Sequence, residues 1–94
     1  MKFEFDQEKS DANKRKHGVS LEEAAQLWEE AYLEVTARTV DEPRFMVIGK
    51  IGGKLYAGIY TIRGEALRLI SCRRARPKEE QLYHAYFKET REPE

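Results

Sequence analysis

Residues 45–73 read FMVIGKIGGKLYAGIYTIRGEALRLISCR, and this stretch decides the fold. Phe45, Val47 and Ile51 alternate with Met46, Ile48 and Lys50, the two-residue period of a strand. Gly52-Gly53 then supplies the positive-φ pair that a two-residue hairpin requires. Leu55, Ala57 and Ile59 alternate with Tyr56, Gly58 and Tyr60 in the returning strand. Gly64-Glu65 turns the chain once more, into a strand from Leu67 to Arg73. With a candidate strand over Tyr32 to Thr39, the pattern predicts an antiparallel meander of about four strands.

Working outward, the segment before the sheet predicts two helices. Phe3-Glu4-Phe5 reads as a short N-terminal strand. Asp6 is suited to cap a polar helix running to about Lys16, which Gly18 would end in a left-handed conformation. Ser20 and Glu23 have the spacing of a capping box, each side chain serving the other residue's free N–H. Leu21, Ala24, Ala25 and Trp28 follow at helical spacing, with Trp28 as the expected core anchor. After the sheet, Pro77 suits the first turn of a closing helix with the apolar stripe Leu82, Tyr83, Tyr86 and Phe87. Residues 90–94 read as a charged, fraying tail. The expectation is one α+β domain spanning 1–94.

The 94 residues sum to zero net charge, yet the charges are segregated. Residues 1–43 hold 6 Lys/Arg against 11 Asp/Glu, or −5. Residues 44–78 hold 9 against 1, or +8, and residues 79–94 hold 2 against 5, or −3. A basic central segment is suited to a polyanion, although basic outer faces also protect sheet edges. The start lacks a basic region followed by an apolar run, and no apolar stretch is long enough to span a bilayer. With one cysteine, Cys72, there is no intrachain disulfide, so a cytoplasmic setting without membrane contact is expected.

Several chemistries are disfavoured by spacing. His17 and His84 lie far apart, and no Cys/His cluster has metal-ligand spacing. Gly49, Gly52 and Gly53 belong to a hairpin, so no phosphate loop is present, and no cofactor is expected. Neither Ser71 nor Cys72 occupies a nucleophile elbow. The remaining groups suit metal-free RNA cleavage, which needs a base for the ribose 2′-OH, cations for the phosphorane and an acid for the leaving oxygen. Lys16 and His17 end the first helix, Arg68 and Arg73 lie on the last strand, and Glu79 opens the closing helix with Tyr83 one turn on. His17 has an alternative as a helix C-terminal residue, Glu79 as a favourable charge at a helix N-terminus, and Lys16 as a solvated charge. Tyr83 also reads as core with its hydroxyl at the rim, and Arg73-Arg74-Ala75-Arg76 as a solvated turn. Arg68 and Arg73 are five residues apart and would point to opposite faces unless a bulge intervenes or Arg73 already lies in the turn. Otherwise one of them is structural, paired with an acidic residue of the first segment.

These residues resemble the BrnT family of type II toxin–antitoxin ribonuclease toxins. The resemblance rests on Phe3-Glu4-Phe5-Asp6 and on Asn13-Lys14-Arg15-Lys16-His17-Gly18-Val19-Ser20-Leu21-Glu22-Glu23-Ala24. It continues through Arg44, Tyr60-Thr61, the run Arg68-Leu69-Ile70-Ser71-Cys72-Arg73-Arg74-Ala75, and Glu79 with Tyr83. Leu21 replaces an aromatic of the family pattern, Cys72 an alanine, and Glu80 an arginine. The resemblance implies a RelE-like fold, metal-independent endoribonuclease activity on an RNA substrate, and neutralisation by a BrnA-like antitoxin that supplies the DNA-binding part. The toxin itself would not bind DNA. Catalytic roles would fall to His17, Arg68, Arg73 and Glu79, with Lys16, Arg44, Arg74, Arg76 and Tyr83 in support. The alternative is a catalytically inactive module that binds an antitoxin within a repressor complex.

Overall fold

The structure, a computed structural model, describes residues 2–37 and 42–91, the side chains of 89–91 excepted. The chain order is β1 (Lys2–Glu4), α1 (Gln7–His17), α2 (Leu21–Ala24) running into a 3₁₀ turn (Ala25–Trp28), β2 (Leu33–Ala37), β3 (Arg44–Ile51), β4 (Lys54–Arg63), β5 (Ala66–Arg74) and α3 (Pro77–Arg91). Residues 38 and 39, expected to extend β2, and 92–94 of the expected tail lie outside the described residues. Thr90 and Arg91, also assigned to that tail, remain helical.

The local signals operate as their chemistry requires. Asp6 accepts hydrogen bonds from the N–H groups of Glu8 and Lys9, and Gly18 closes α1 at φ 79°. Both bonds of the Ser20–Glu23 capping box are made. Gly52 and Gly53 take φ values of 60° and 81° in the hairpin between β3 and β4.

The five strands lie in the order β1-β5-β4-β3-β2. β2 to β5 form the expected antiparallel meander, but β1 pairs with β5 in parallel, so the sheet is mixed. The reason is topological. The N-terminal strand returns to the sheet beside the last strand, and the connection through three intervening strands brings β5 back in the same sense.

The two faces of the sheet carry separate cores. Val19, Leu21, Ala24 and Leu27 pack with Val47, Tyr60, Leu67, Leu69 and Cys72 on one face. On the other, Tyr83 of α3 packs with Ile48 and Leu55, flanked by Leu33, Met46 and Phe87. Helical spacing pairs Ala25 and Trp28 with Leu21 and Ala24. Leu27 is instead the fully buried member, because the three-residue period of the 3₁₀ turn aligns it with Leu21 and Ala24. The sheet makes room for it: a Cβ on Gly49 would stand 2.7 Å from the Leu27 carbonyl oxygen, and one on Gly58 would stand 2.9 Å from a Leu27 methyl. Trp28 lies at the margin of this core, 5.2 Å from Phe3 and 5.3 Å from Tyr60 between ring centres. Its Nε1–H and the Tyr60 hydroxyl both donate to Glu34 Oε2.

The expected stripe on α3 divides. Tyr83 is buried and Phe87 half-buried, whereas Leu82 and Tyr86 are 49% and 45% exposed. A single helix laid on a sheet buries one narrow strip, and Leu82 and Tyr86 stand beside that strip rather than on it.

Candidate active site

The pairing of β4 with β5 contains an irregularity that determines where the strand arginines point. Ile59 stands opposite Ser71, but the next residue, Tyr60, stands opposite Leu69, leaving Ile70 as an extra residue on β5. One inserted residue reverses the side-chain alternation beyond it. Leu67, Leu69 and Cys72 therefore all enter the core under α1 and α2. Arg68 and Arg73 both face the opposite side, the side of α3. Of the two conditions that sequence spacing set for a shared face, a bulge or an Arg73 already in the turn, the bulge is present.

Each of these arginines is held by one carboxylate. Arg68 Nη1 donates to Glu4 Oε1 at 2.9 Å, across the parallel pairing of β1 and β5. This is the acidic partner in the first segment that the spacing left open. Arg73 donates through both terminal nitrogens to the two oxygens of Glu79, at 2.9 and 2.8 Å. Such a two-pronged pair fixes the guanidinium plane as well as its position. Between the arginines along β5, Ile70 and Ser71 are half-buried. This half of the sheet face is less covered than the half under Tyr83 and Phe87.

Glu79 serves two elements at once. Besides Arg73, its Oε1 accepts the backbone N–H of Arg76 at 2.8 Å, at the entrance to α3. The Arg73 hydrogen bonds hold its carboxyl below the usual carboxylate range against the opposing effect of burial, and the Arg76 N–H adds to the lowering. The same contact raises the Arg73 guanidinium above its ordinary value. Glu79 is thus an ionised, occupied group: well suited to orienting Arg73, and a weak base.

Lys16 and His17 are exposed at the C-terminal end of α1. Their placement follows from Asn13, one turn earlier. The Asn13 amide donates to the carbonyl of Cys72 at 2.8 Å and to that of Val19 at 2.7 Å, while its oxygen accepts the Cys72 N–H at 3.3 Å. β1 pairs with Ala66 to Arg68, so beyond Arg68 the outer side of β5 has no strand beside it among the described residues. Asn13 takes the place of a strand at Cys72, the residue before Arg73. From Glu4, opposite Arg68, to Asn13, against Cys72, the chain advances along β5 in the strand's own direction. His17 lies about 6 Å further along the helix axis, at roughly 1.5 Å per residue. It comes from the layer opposite to the arginine face, at the open edge of β5, and forms no hydrogen bond or ion pair with Arg73, Arg68 or Glu79.

The supporting residues are distributed. Arg76 is exposed beside Glu79, and Arg74 lies 5.5 Å above the Tyr56 ring while its Nε–H donates to the Leu55 carbonyl. Arg44 is exposed at the start of β3. Tyr83 is 5% exposed and its hydroxyl donates to the Ala31 carbonyl at 3.0 Å, so its ring belongs to the core. Thr61 is buried opposite Arg68 and donates to the Pro43 carbonyl. Burial pushes the Cys72 thiol up to about 12, consistent with a packing residue.

Two residues escaped the sequence reading. Glu4 had a signal in its outward position between Phe3 and Phe5, but its partner lies 64 positions away. Asn13 opens the Asn-x-x-Lys-His-Gly segment and carries a polar side chain on a helix with almost no apolar residues, so nothing local marked it as buried. Among the described residues, no group of three or more His, Cys, Asp or Glu side chains is placed to hold a metal ion. Nor is any helix among them long and apolar enough to cross a membrane.

No curated protein is found to match the chain. A family model does: that of the ribonuclease toxin BrnT of type II toxin–antitoxin systems matches residues 5–79, a span that runs from the residue after β1 to Glu79. The match takes in the Asn13–Gly18 segment, the bulged strand with both its arginines and the carboxylate that holds Arg73. The chain belongs to the BrnT family of ribonuclease toxins.

Proposed function

We propose that this protein is a metal-independent endoribonuclease with a RelE-like domain, active in the cytoplasm and neutralised by a BrnA-like antitoxin. The observation that supports it best is the β5 bulge, which gives Arg68 and Arg73 one common face. In this reading, the two guanidinium groups bind the scissile phosphate and stabilise the charge that builds up as phosphorus becomes five-coordinate. The ribose 2′-oxygen attacks phosphorus, its proton passes to a base, and the 5′-oxygen leaves with a proton from an acid. The products are a 2′,3′-cyclic phosphate and a free 5′-hydroxyl. His17, whose imidazole has one nitrogen to give a proton and one to take it, is the first proton-transfer candidate. Glu79, ionised against Arg73, orients that arginine and is the second proton-transfer candidate once RNA displaces it. Lys16, Arg44, Arg74 and Arg76 extend the cationic surface along the RNA.

The test is growth on induction without antitoxin, paired with cleavage of RNA in the presence of a chelator. Wild type is expected to arrest growth and cleave, and the Arg68→Ala/Arg73→Ala double variant to do neither. Equal harmlessness of the two would remove the toxin reading.

A second reading has its own support: both arginines are already neutralised, by Glu4 and Glu79. In that case the protein is an inactive antitoxin-binding module of a repressor complex. Retention of RNA without cleavage in the same assay would favour it.

A further inference from the structure

Asn13 makes contacts that the proposed chemistry does not itself use. It is 8% exposed, and both ends of its side-chain amide are engaged. Its three hydrogen bonds join two backbone segments far apart in sequence: Cys72 on β5 and Val19 beyond the end of α1. His17 lies between the anchors Asn13 and Val19, and Arg73 directly follows the anchor Cys72. One amide therefore holds the turn that carries the imidazole against the strand that carries the guanidinium. No other side chain among the described residues links these two segments by hydrogen bonds. The requirement for an amide is specific: two carbonyls need a donor and one N–H needs an acceptor.

The geometry points to Asn13 as a positioning residue of the active site, which sets the distance of His17 from Arg73 and thereby from the phosphate that Arg73 binds. This rests on the ribonuclease reading above for its consequence in catalysis, but not for its geometry. The Asn13→Asp variant preserves size and the acceptor for the Cys72 N–H. It also sets a carboxylate oxygen against the carbonyls of Val19 and Cys72 and pushes the His17 turn away from β5. A displacement of this kind acts on rate more than on binding, because Arg68 and Arg73 still hold the phosphate.

The experiment compares wild type, Asn13→Asp and Leu27→Val in cleavage of a mixed-sequence oligoribonucleotide. Leu27→Val is a control for lost stability, since Leu27 packs under Gly49 and Gly58 in the core on the face opposite to Arg68 and Arg73. The expected result is a fall in kcat of roughly 10²-fold for Asn13→Asp with KM changed much less, the scale on which a misplaced group of about 1 Å acts. Leu27→Val should retain the wild-type kcat below its melting temperature. An unchanged kcat in Asn13→Asp, or an equal loss in Leu27→Val, overturns the assignment. If Asn13→Asp does not fold, Asn13→Gln, with the same amide on a longer arm, takes its place with the same expected split.

A second measurement separates this inference from the ribonuclease reading. Side-chain NMR signals of His17 and Arg73 are followed while a 2′-O-methyl oligoribonucleotide, which cannot be cleaved, is added. The inference requires that both signals move in wild type and that only Arg73 responds in Asn13→Asp. If wild type shows that response yet cleaves no RNA, the ribonuclease reading fails and the positioning role stands. If both signals respond in the variant, or His17 stays silent in wild type, the positioning role fails whatever the cleavage assay shows.

Discussion

Arg73 and Glu79 meet across the turn between β5 and α3 through two parallel hydrogen bonds of 2.9 and 2.8 Å, and the same carboxylate caps the helix that carries it. The pair thus joins the strand, the helix entrance and the proposed phosphate site in one contact. Loss of either partner should be felt in both stability and chemistry, in different proportions.

Glu79→Gln is expected to lower stability by about 1–3 kcal/mol, since it replaces charge-assisted bonds on a partly buried guanidinium. Urea denaturation of the two proteins checks this. Arg73→Lys should lose the two-pronged geometry while keeping the charge, and so lose most of the cleavage rate. A lysine variant with wild-type kcat would show that Arg73 acts by charge alone.

Acid should weaken this contact in a defined direction. The Glu79 carboxyl is held below its ordinary value of 4.5, chiefly by Arg73. Its contribution to folding is therefore fully present above that value and is lost as pH falls through the lowered folded value. Denaturation midpoints measured from neutral to acid pH should fall less steeply in Glu79→Gln than in wild type. Parallel slopes would assign the acid sensitivity to other carboxylates.

The two strand glycines under Leu27 should differ in their tolerance of a methyl group. In Gly49→Ala the new Cβ meets the Leu27 backbone oxygen at 2.7 Å, whereas in Gly58→Ala it meets a methyl at the end of the same side chain. A side-chain tip can move aside and a backbone carbonyl cannot. Gly49→Ala should therefore cost more, within the roughly 1–3 kcal/mol of an overpacked core. Thermal melts of both variants give the order.

Cys72 should behave as an inert core residue. It is fully buried, its backbone is engaged by Asn13, and burial pushes its thiol up to about 12. A thiol reagent at neutral pH should label it only after denaturant is added. Rapid labelling of the folded protein would mean that the β5 edge opens beneath α1.

Much of the architecture was legible in the sequence because its signals are local. The hairpin glycines, the Ser20–Glu23 box, Asp6, Gly18 and Pro77 each act within a few residues of themselves, and each stands where an element begins or ends. Alternation through residues 45–73 likewise marks the strands without reference to the rest of the chain, whereas burial of both faces, as at Val47 and Ile48, depends on the helices packed on either side. Where a signal depended on helix type, as at Leu27 and Trp28, the period of 3.6 misjudged a segment whose last turn has a period of three.

By itself, the sequence determined the elements, their order, the charge segregation and the membership of the residues that a phosphate-binding surface would need. Only the tertiary structure decided which of them face one another. The parallel placement of β1 gives Arg68 its carboxylate, the extra residue Ile70 turns Arg68 and Arg73 to one side, and Asn13 ties the His17 turn to the strand beside Arg73. All three depend on contacts between residues some 60 positions apart or on register between strands. A pattern read along one strand carries the period of its side chains but not the partner against which that period slips.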